Sequence, residues 1–124
     1  MTEILLVEDN ELNRDMLTRR LSRKGFTVRS AGDGQQALDE VERQLPDLVL
    51  LDMDLPVLNG WETCAALRKN PNTTRLPVIA LTAHAMTGDK QKALQAGCND
   101  YATKPIDFPD LLEKINHLLG KTPD

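Results

Sequence analysis

Three short apolar runs constrain the fold of this chain more than any other feature of its sequence. They are Ile4–Val7, Leu48–Leu51 and Val78–Leu81, and none of them contains a polar residue. Such runs indicate strands buried on both faces, because a strand with one wet face alternates apolar and polar residues. Both faces of a sheet are buried when helices cover them, so the runs predict an α/β domain with a parallel sheet.

Weaker signals complete a strict alternation of strands and helices. Further strands are predicted at Thr27–Ser30 and Tyr101–Thr103. The segments between strands repeat apolar residues at helical spacing, as Leu17 and Leu21 do. They predict five helices: Asn10–Lys24, Gly34–Gln44, Gly60–Lys69, Thr87–Ala96 and Asp107–Leu119. Five such units predict a doubly wound domain, in which ligands bind beyond the carboxyl ends of the strands.

Size and charge limit the class of protein. The chain has 124 residues and predicts one domain over 1–124, with a loose tail at 121–124 and no output domain. Its formal net charge of -4 argues against direct nucleic-acid binding, since phosphate contacts need concentrated positive charge. It shows no leader and no apolar stretch of membrane-spanning length, so we expect a cytoplasmic protein without a membrane partner. Cys64 and Cys98 lack ligand-like spacing and are expected to be reduced packing residues.

Three acidic residues stand where two of the apolar runs end. Glu8 and Asp9 follow the first run, and Asp52 follows the second. If these runs are neighbouring parallel strands, the carboxylates meet at one edge, where like charges repel unless a cation joins them. Carboxylate oxygens suit hard divalent cations, so the pattern predicts a cation site. For Asp9 alone another role stays open, because Asp9 or Asn10 could cap the helix that follows.

The same predicted edge collects two further polar residues. Thr82 follows the third apolar run, and Lys104 follows the last predicted strand. A carboxylate that attacks phosphorus builds negative charge on the phosphoryl oxygens, and a metal, a lysine and small donors stabilise that charge. The set of residues therefore points to phosphoryl transfer.

Taken in order, these residues make the whole chain resemble the receiver domain of two-component response regulators. The resemblance lies in Glu8-Asp9, in Leu-Leu-Asp-Met-Asp-Leu-Pro-Val-Leu-Asn-Gly around Asp52, in Thr82-Ala83 and in Lys104-Pro105. Within the family the chain is similar to stand-alone, chemotaxis-type regulators and to hybrid-kinase receivers, judging by Val-Glu-Asp-Asn-Glu-Leu-Asn and Leu-Thr-Ala-His-Ala-Met. The resemblance implies a flavodoxin-like fold with the strand order 2-1-3-4-5.

The resemblance also implies roles for individual residues. Asp52 would accept a phosphoryl group from a sensor histidine kinase or a histidine phosphotransfer protein. Asp9 and Asp52 would bind Mg²⁺ or Mn²⁺, with Glu8 assisting through water and Asp54 through its backbone carbonyl. Lys104 would pair with Asp52 and then with a phosphoryl oxygen.

Further implied roles concern the remaining phosphoryl oxygens and the response to phosphate. The Thr82 hydroxyl and the Ala83 amide would hold those oxygens, and Pro105 would follow a cis peptide. Thr82 and Tyr101 would form a switch that alters the face made by the last two helices and the last strand, where a downstream effector protein would bind.

Two positions are expected to set the lifetime of the phosphoryl group, and one edge is expected to meet the donor. Asp54 and His84 would border the path of the hydrolytic water. Leu12 and Met16 widen the apolar stripe of the first helix towards an edge that docks the kinase helix bundle in the family, although a broad core stripe is the alternative. The protein would assist its own phosphorylation and dephosphorylation without being a stand-alone enzyme.

Three other classes of protein share part of this pattern with receiver domains. Asp52 and Asp54 imitate the Asp-x-Asp pair of haloacid dehalogenase-like phosphatases, but those enzymes need a larger domain and usually a Thr or Val two residues on. A flavin carrier would share the fold, but an acidic first loop would repel the flavin phosphate. A pseudo-receiver that binds partners without phosphate is disfavoured by the intact set of site residues.

Overall fold

Five parallel strands form one sheet in the computed structural model, which describes residues 2–55, 57–83, 91–92 and 94–120. The strands are β1 (Glu3–Val7), β2 (Thr27–Ala31), β3 (Leu48–Asp52), β4 (Val78–Thr82) and β5 (Asp100–Thr103). Their order in the sheet is β2-β1-β3-β4-β5, which confirms the expected order. Every predicted strand is present, and each differs from its prediction by one residue at one end.

Four complete helices lie within the described residues, where five helices were predicted. They are α1 (Glu11–Arg23), α2 (Gly34–Arg43), α3 (Gly60–Lys69) and α4 (Phe108–Leu118), and each lies within a predicted helix. Half of the helix predicted over Thr87–Ala96 lies outside the described residues; of its described positions, 91, 92, 94 and 95 are helical. The tail predicted at 121–124 also lies outside them.

Short polar side chains cap the amino ends of the helices, and the cap of α1 shows which of Asp9 and Asn10 has that role. The side chain of Asn10 accepts a hydrogen bond from the amide of Asn13 at 3.0 Å, so Asn10 and not Asp9 caps α1. The side chain of Asp107 caps α4 in the same way. Because Asn10 takes the capping role, Asp9 is left at the carboxyl edge of the sheet with its carboxylate available for other partners.

Helices cover both faces of the sheet, as the apolar runs predicted. Alternate residues of β1 and β3, such as Leu5 and Val49, pack on one face against Ala37 and Val41 of α2 and Cys64 and Leu67 of α3. The intervening residues pack on the other face against α1 and α4: Ile4, Leu6, Leu48 and Leu50 contact Leu17, Leu21, Leu111 and Ile115. All of β3 is buried. Each buried aliphatic side chain contributes about 1.5–3 kcal/mol, so the two layers hold the strand ends firmly in register.

The cysteines and the helix lengths agree with the sequence. Cys64 and Cys98 are buried free thiols, as predicted for packing residues. Among the described helices, none has the length and apolarity needed to cross a membrane.

Candidate functional site

The buried carboxylates of Glu8 and Asp52 lie side by side at the carboxyl edge of the sheet. Val7 of β1 pairs with Leu51 of β3, so the next residue of each strand reaches the same level. Glu8 is 1% exposed and Asp52 is 2% exposed. The chain leaves β1 towards β2 on one side and places β3 on the other, which is the point where doubly wound sheets bind ligands.

Asp9 completes an acidic cluster with these two residues. Glu8, Asp9 and Asp52 each offer one carboxylate oxygen, and these oxygens lie within 4.8 Å of one another. Asp9 is exposed, so the cluster opens to solvent on its side. Three hard oxygen donors at this spacing suit a divalent cation that keeps several of its waters, and the residue set therefore fits Mg²⁺.

Lys104 supplies the positive charge that faces the acids. Its Nζ lies 2.8 Å from Oδ2 of Asp52 and 3.3 Å from Oε2 of Glu8. Its backbone amide donates to the carbonyl oxygen of Thr82 at 2.8 Å, and the peptide bond to Pro105 is cis, as the sequence resemblance implied. The end of β4 and the turn at Pro105 thus hold the lysine against Asp52.

The charges of this cluster are unbalanced, and the pKa shifts express the imbalance. Burial, followed by the charge of Asp52, raises the pKa of Glu8, although Lys104 opposes the change. Burial disfavours the ammonium of Lys104, but its hydrogen bond and charge interaction with Asp52, and those with Glu8, outweigh burial and raise its pKa. One ammonium contacts two of the three clustered carboxylates, which leaves room for a further positive charge.

Thr82 and Ala83 follow the neighbouring strand. Leu81 pairs with Asp52, so Thr82 stands one residue beyond the acid on the adjacent strand. Thr82 is buried and Ala83 is exposed. The amide of Asp54 donates to Oδ1 of Asp52 at 2.9 Å, and the Asp54 side chain is exposed.

Tyr101, which was predicted to respond to phosphate together with Thr82, lies on the edge strand β5. Tyr101 pairs with Ala80 in β4 and is half-buried. Nζ of Lys114 donates to the carbonyl oxygen of Tyr101 at 2.8 Å and lies 5.1 Å from the centre of its ring. His84, predicted to border the hydrolytic water, lies outside the described residues.

Sequence reasoning missed three features of this site. It paired Lys104 with Asp52 only, whereas the lysine also contacts Glu8. A guanidinium nitrogen of Arg14 donates to the carbonyl oxygen of Glu8 at 2.9 Å. Arg14 comes one turn after the helix cap Asn10, and this position could have indicated that its side chain reaches back to the end of β1. Gly60 had no such signal: a Cβ there would lie 2.6 Å from the carbonyl oxygen of Asp52, so only glycine allows α3 to start this close.

Comparison with protein families identifies the class of this arrangement. The model of the response regulator receiver domain matches residues 4–116. A hybrid signal transduction histidine kinase of Dictyostelium discoideum is 40% identical over 96% of this chain, and the chain spans 7% of that kinase. The polar-differentiation response regulator DivK of Brucella anthropi is 38% identical, and the match covers 94% of this chain and 95% of that regulator.

Solved structures give the same likeness. The receiver domain of the Pseudomonas aeruginosa sensor histidine kinase PA1611, which has a magnesium ion in its active site cleft, is 42% identical with a TM-score of 0.89 over 97% of this chain and 98% of that one. The receiver domain of the Saccharomyces cerevisiae regulator Ssk1, solved with the histidine phosphotransfer protein Ypd1, is 32% identical with a TM-score of 0.88 over 94% of this chain and 88% of that one.

Proposed function

Since this chain belongs to the response regulator receiver domain family, we propose that Asp52 accepts a phosphoryl group from a phosphohistidine of a partner protein. The contact between Lys104 and Asp52 carries the proposal, because it places a cation 2.8 Å from a buried carboxylate that two other acids accompany. An ion pair that only stabilises the fold needs one carboxylate for each cation. A phosphoryl acceptor that works with a metal needs additional carboxylates to hold the metal.

The chemistry assigns one task to each residue. An oxygen of Asp52 attacks phosphorus, the bond from phosphorus to the histidine nitrogen breaks, and its electron pair stays with the imidazole. The product is an acyl phosphate on Asp52. Lys104 exchanges its contact with the carboxylate for one with a phosphoryl oxygen, and the Thr82 hydroxyl and Ala83 amide hold the others.

Mg²⁺ or Mn²⁺ is the cofactor of this proposal. Asp9 and Asp52 would hold the ion, Glu8 would assist through water, and the Asp54 carbonyl would add an oxygen. Bound there, the ion supplies positive charge to the phosphoryl oxygens. The surplus of carboxylates over ammonium groups supports this assignment. The pKa of Glu8 is raised by burial first and by the charge of Asp52 second, and a bound cation would offset the second effect.

The phosphoryl donor would dock along α1, and histidine kinases and histidine phosphotransfer proteins are the expected donors. A cavity of about 490 Å³ runs from Lys104 and Pro105 to Met16 and Arg20. Met16 is 53% exposed, and Leu12 on the same helix is 79% exposed. Exposed apolar residues beside a cavity that reaches Glu8 and Lys104 suit a helical partner that presents a histidine.

Thr82 and Tyr101 would carry the signal to the outgoing face. A hydroxyl that turns towards the phosphoryl group vacates space, and the Tyr101 ring would then move inward and change the surface beside β5 and α4. The half-buried ring and its contact with Lys114 support this role, because the ring already lies at the border of that surface. Equal effects of phosphorylation on effector binding in Thr82→Ala and the parent would contradict the coupling.

Asp54 and His84 would set how long the signal lasts. The amide of Asp54 contacts Asp52 directly, and its carboxylate is exposed beside the acceptor, where it meets incoming water. Dephosphorylation rates of Asp54→Asn and His84→Ala measure both contributions, and rates equal to that of the parent would remove these residues from hydrolysis.

One experiment tests the central assignment. The parent and Asp52→Asn are incubated with a small acyl phosphate and Mg²⁺, and intact mass is measured. The parent should gain one phosphoryl group that a chelator prevents, and Asp52→Asn should gain none. Asp39→Asn, which removes an exposed acid of α2, is the matched control and should behave as the parent. Equal incorporation in Asp52→Asn would refute the acceptor, and no incorporation in any variant would favour a pseudo-receiver.

A further inference from the structure

Two buried thiols meet on the far side of the sheet from α1. Cys64 lies in α3 and Cys98 lies in the segment that enters β5. Cys64 is 0% exposed, Cys98 is 4% exposed, and their sulfur atoms are 3.5 Å apart. A disulfide bond is about 2.05 Å long, so the sulfurs need to approach by roughly 1.5 Å to be joined. Neither thiol contacts the acceptor site.

Arg68 fastens the segment around Cys98 to the helix that carries Cys64. Its Nε donates to the carbonyl oxygen of Gly97 at 2.8 Å, and a terminal guanidinium nitrogen donates to Oδ1 of Asn99 at 2.9 Å. Both neighbours of Cys98 are therefore tied to α3, one helical turn after Cys64. The clamp holds the two sulfurs opposite each other, so their joining requires little further loss of chain entropy.

The surroundings also differentiate the two thiols. The hydrogen bond from Cys98 lowers the pKa of Cys64, burial opposes this change, and the charge of Arg68 adds to it. The same contact, together with burial, raises the pKa of Cys98. The Cys98 thiol donates to the Cys64 sulfur, so Cys64 is the better placed of the two to attack and Cys98 to resolve.

We propose that Cys64 and Cys98 are a modification site at which a hydroperoxide forms a reversible intrachain disulfide. The Cys64 thiolate attacks one oxygen of hydrogen peroxide, the O–O bond breaks, and the sulfur becomes a sulfenic acid. The hydroxide that leaves takes up the proton that the Cys64 thiol had lost, which gives the first water. The Cys98 sulfur then attacks the Cys64 sulfur, the S–O bond breaks, and water leaves with the Cys98 proton. In sum, two thiols lose two electrons and two protons, and one peroxide becomes two waters.

The bond would connect two elements that lead to the acceptor site. α3 begins at Gly60, whose amide donates to the carbonyl oxygen of Met53 at 3.2 Å, directly after Asp52. β5 continues to Lys104. A covalent link between these elements restricts the unfolded chain, so the oxidised protein should melt at a higher temperature than the reduced protein.

The test oxidises the folded full chain with graded hydrogen peroxide, without phosphodonor, and then unfolds it in an alkylating reagent. Intact mass should fall by two hydrogen atoms with no alkyl group added, and dithiothreitol should restore two alkylatable thiols. Cys98→Ser is the matched control, because it keeps the attacking sulfur without the resolving one. It should stop at a sulfenic acid that dimedone traps. Arg68→Gln should slow disulfide formation several-fold.

Several results would overturn the proposal. Two alkylatable thiols after peroxide treatment would show that the folded protein protects both sulfurs. Separate oxygen additions to the two cysteines, or a disulfide between two chains, would show that the sulfurs do not react with each other. A disulfide that forms only in denaturant would show that the fold does not assemble the site.

Discussion

Two ionic clusters of this chain place a cation between carboxylates, one at the acceptor site and one on the edge strand β2. The second, called the Arg29 cluster, consists of Arg29, Glu3, Glu40 and Arg43. Arg29 contacts Glu3 at 2.9 Å and Glu40 at 2.7 Å, and Arg43 contacts Glu40 at 2.8 Å. The first, called the Lys104 cluster, consists of Lys104, Glu8 and Asp52, with Asp9 beside it.

The clusters differ in charge balance and in burial, and the pKa shifts of their glutamates have opposite signs. Two guanidinium groups face two carboxylates in the Arg29 cluster, and the hydrogen bond from Arg43, followed by that from Arg29, lowers the pKa of Glu40 against the effect of burial. Burial and Asp52 raise the pKa of Glu8 instead. A cluster that the protein balances itself fastens the fold. A buried cluster left short of positive charge is suited to bind a cation and a phosphoryl group.

Removing Lys104 should have the largest effect of the substitutions that distinguish the two clusters. Lys104→Met should slow phosphoryl incorporation by about 100-fold, the usual loss when one preorganised stabilising donor is removed from a transition state. A time course of intact mass with a small acyl phosphate and Mg²⁺ measures the rate. Lys69→Met, at the exposed end of α3, is the control and should leave the rate unchanged. A Lys104→Met rate within a factor of two of the parent would contradict the role of the lysine.

Removing Arg29 should affect stability alone. Its side chain is 15% exposed and contacts two acids, so Arg29→Met should lower the free energy of unfolding by about 2 kcal/mol, the range for hydrogen bonds to charged groups. Urea unfolding measures the change. Phosphoryl incorporation should stay at the parental rate, and a parallel loss of phosphorylation would show that the two clusters are not independent.

Neutralising Glu8 should stabilise the protein in the absence of metal. The folded-state pKa of Glu8 lies above its ordinary value of 4.5, so the folded protein binds that proton more tightly, and the contribution of Glu8 to stability falls as pH rises through this window. Glu8→Gln should therefore be more stable than the parent at neutral pH, because an amide at this buried position carries no charge beside Asp52. Urea unfolding in a chelator measures the gain, and Mg²⁺ should reduce it.

Glu40→Gln provides the control of opposite sign. Its lowered pKa contributes stability above the ordinary value of 4.5, and that contribution is lost as pH falls through the lowered pKa. The parent should therefore exceed Glu40→Gln in stability at neutral pH and lose this advantage in acid. Differences of the same sign for the two glutamates would remove the distinction between the clusters.

The smallest effect is expected from an uncharged residue in the loop between β3 and α3. Val57 has a φ of 67° and is 82% exposed, so a β-branched residue occupies left-handed backbone without buried contacts to compensate. Val57→Asn should gain about 0.5–1 kcal/mol of unfolding free energy, part of the usual cost of left-handed backbone. Val57→Ala should gain less. A loss of stability in Val57→Asn, measured in urea, would show that the loop requires valine.

Local patterns were enough to predict most of the fold. The run Leu48–Leu51 is buried on both faces, and the side-chain oxygens of Asn10 and Asp107 cap helices where the sequence placed helix starts. These features depend on residues a few positions apart, because strand burial and capping are decided within one run or one turn. Half of the helix predicted over Thr87–Ala96, and the tail predicted at 121–124, lie outside the described residues.

Contacts between distant segments could not be predicted in the same way. Lys104 and Glu8 are separated by 96 positions. Cys64 and Cys98 are separated by 34, and nothing in their spacing indicated that the sulfurs would meet. The close approach of Gly60 to Asp52 also has no local signature. Each of these contacts depends on the register of the strands and on the distance between α3 and the sheet. The same local sequence pattern is compatible with several registers and distances, so it does not predict the contacts.

The sequence by itself determined that this chain forms a parallel sheet with acids at its carboxyl edge, because apolar runs and the residues that end them are local facts. Only the tertiary structure decided which positive side chains contact the acids. It placed one lysine between Asp52 and Glu8 and left Asp9 open to solvent. In the Arg29 cluster it placed two guanidinium groups, those of Arg29 and Arg43, against Glu40. The physical reason is that charge interactions change over a few ångströms, a distance set by packing and not by position along the chain.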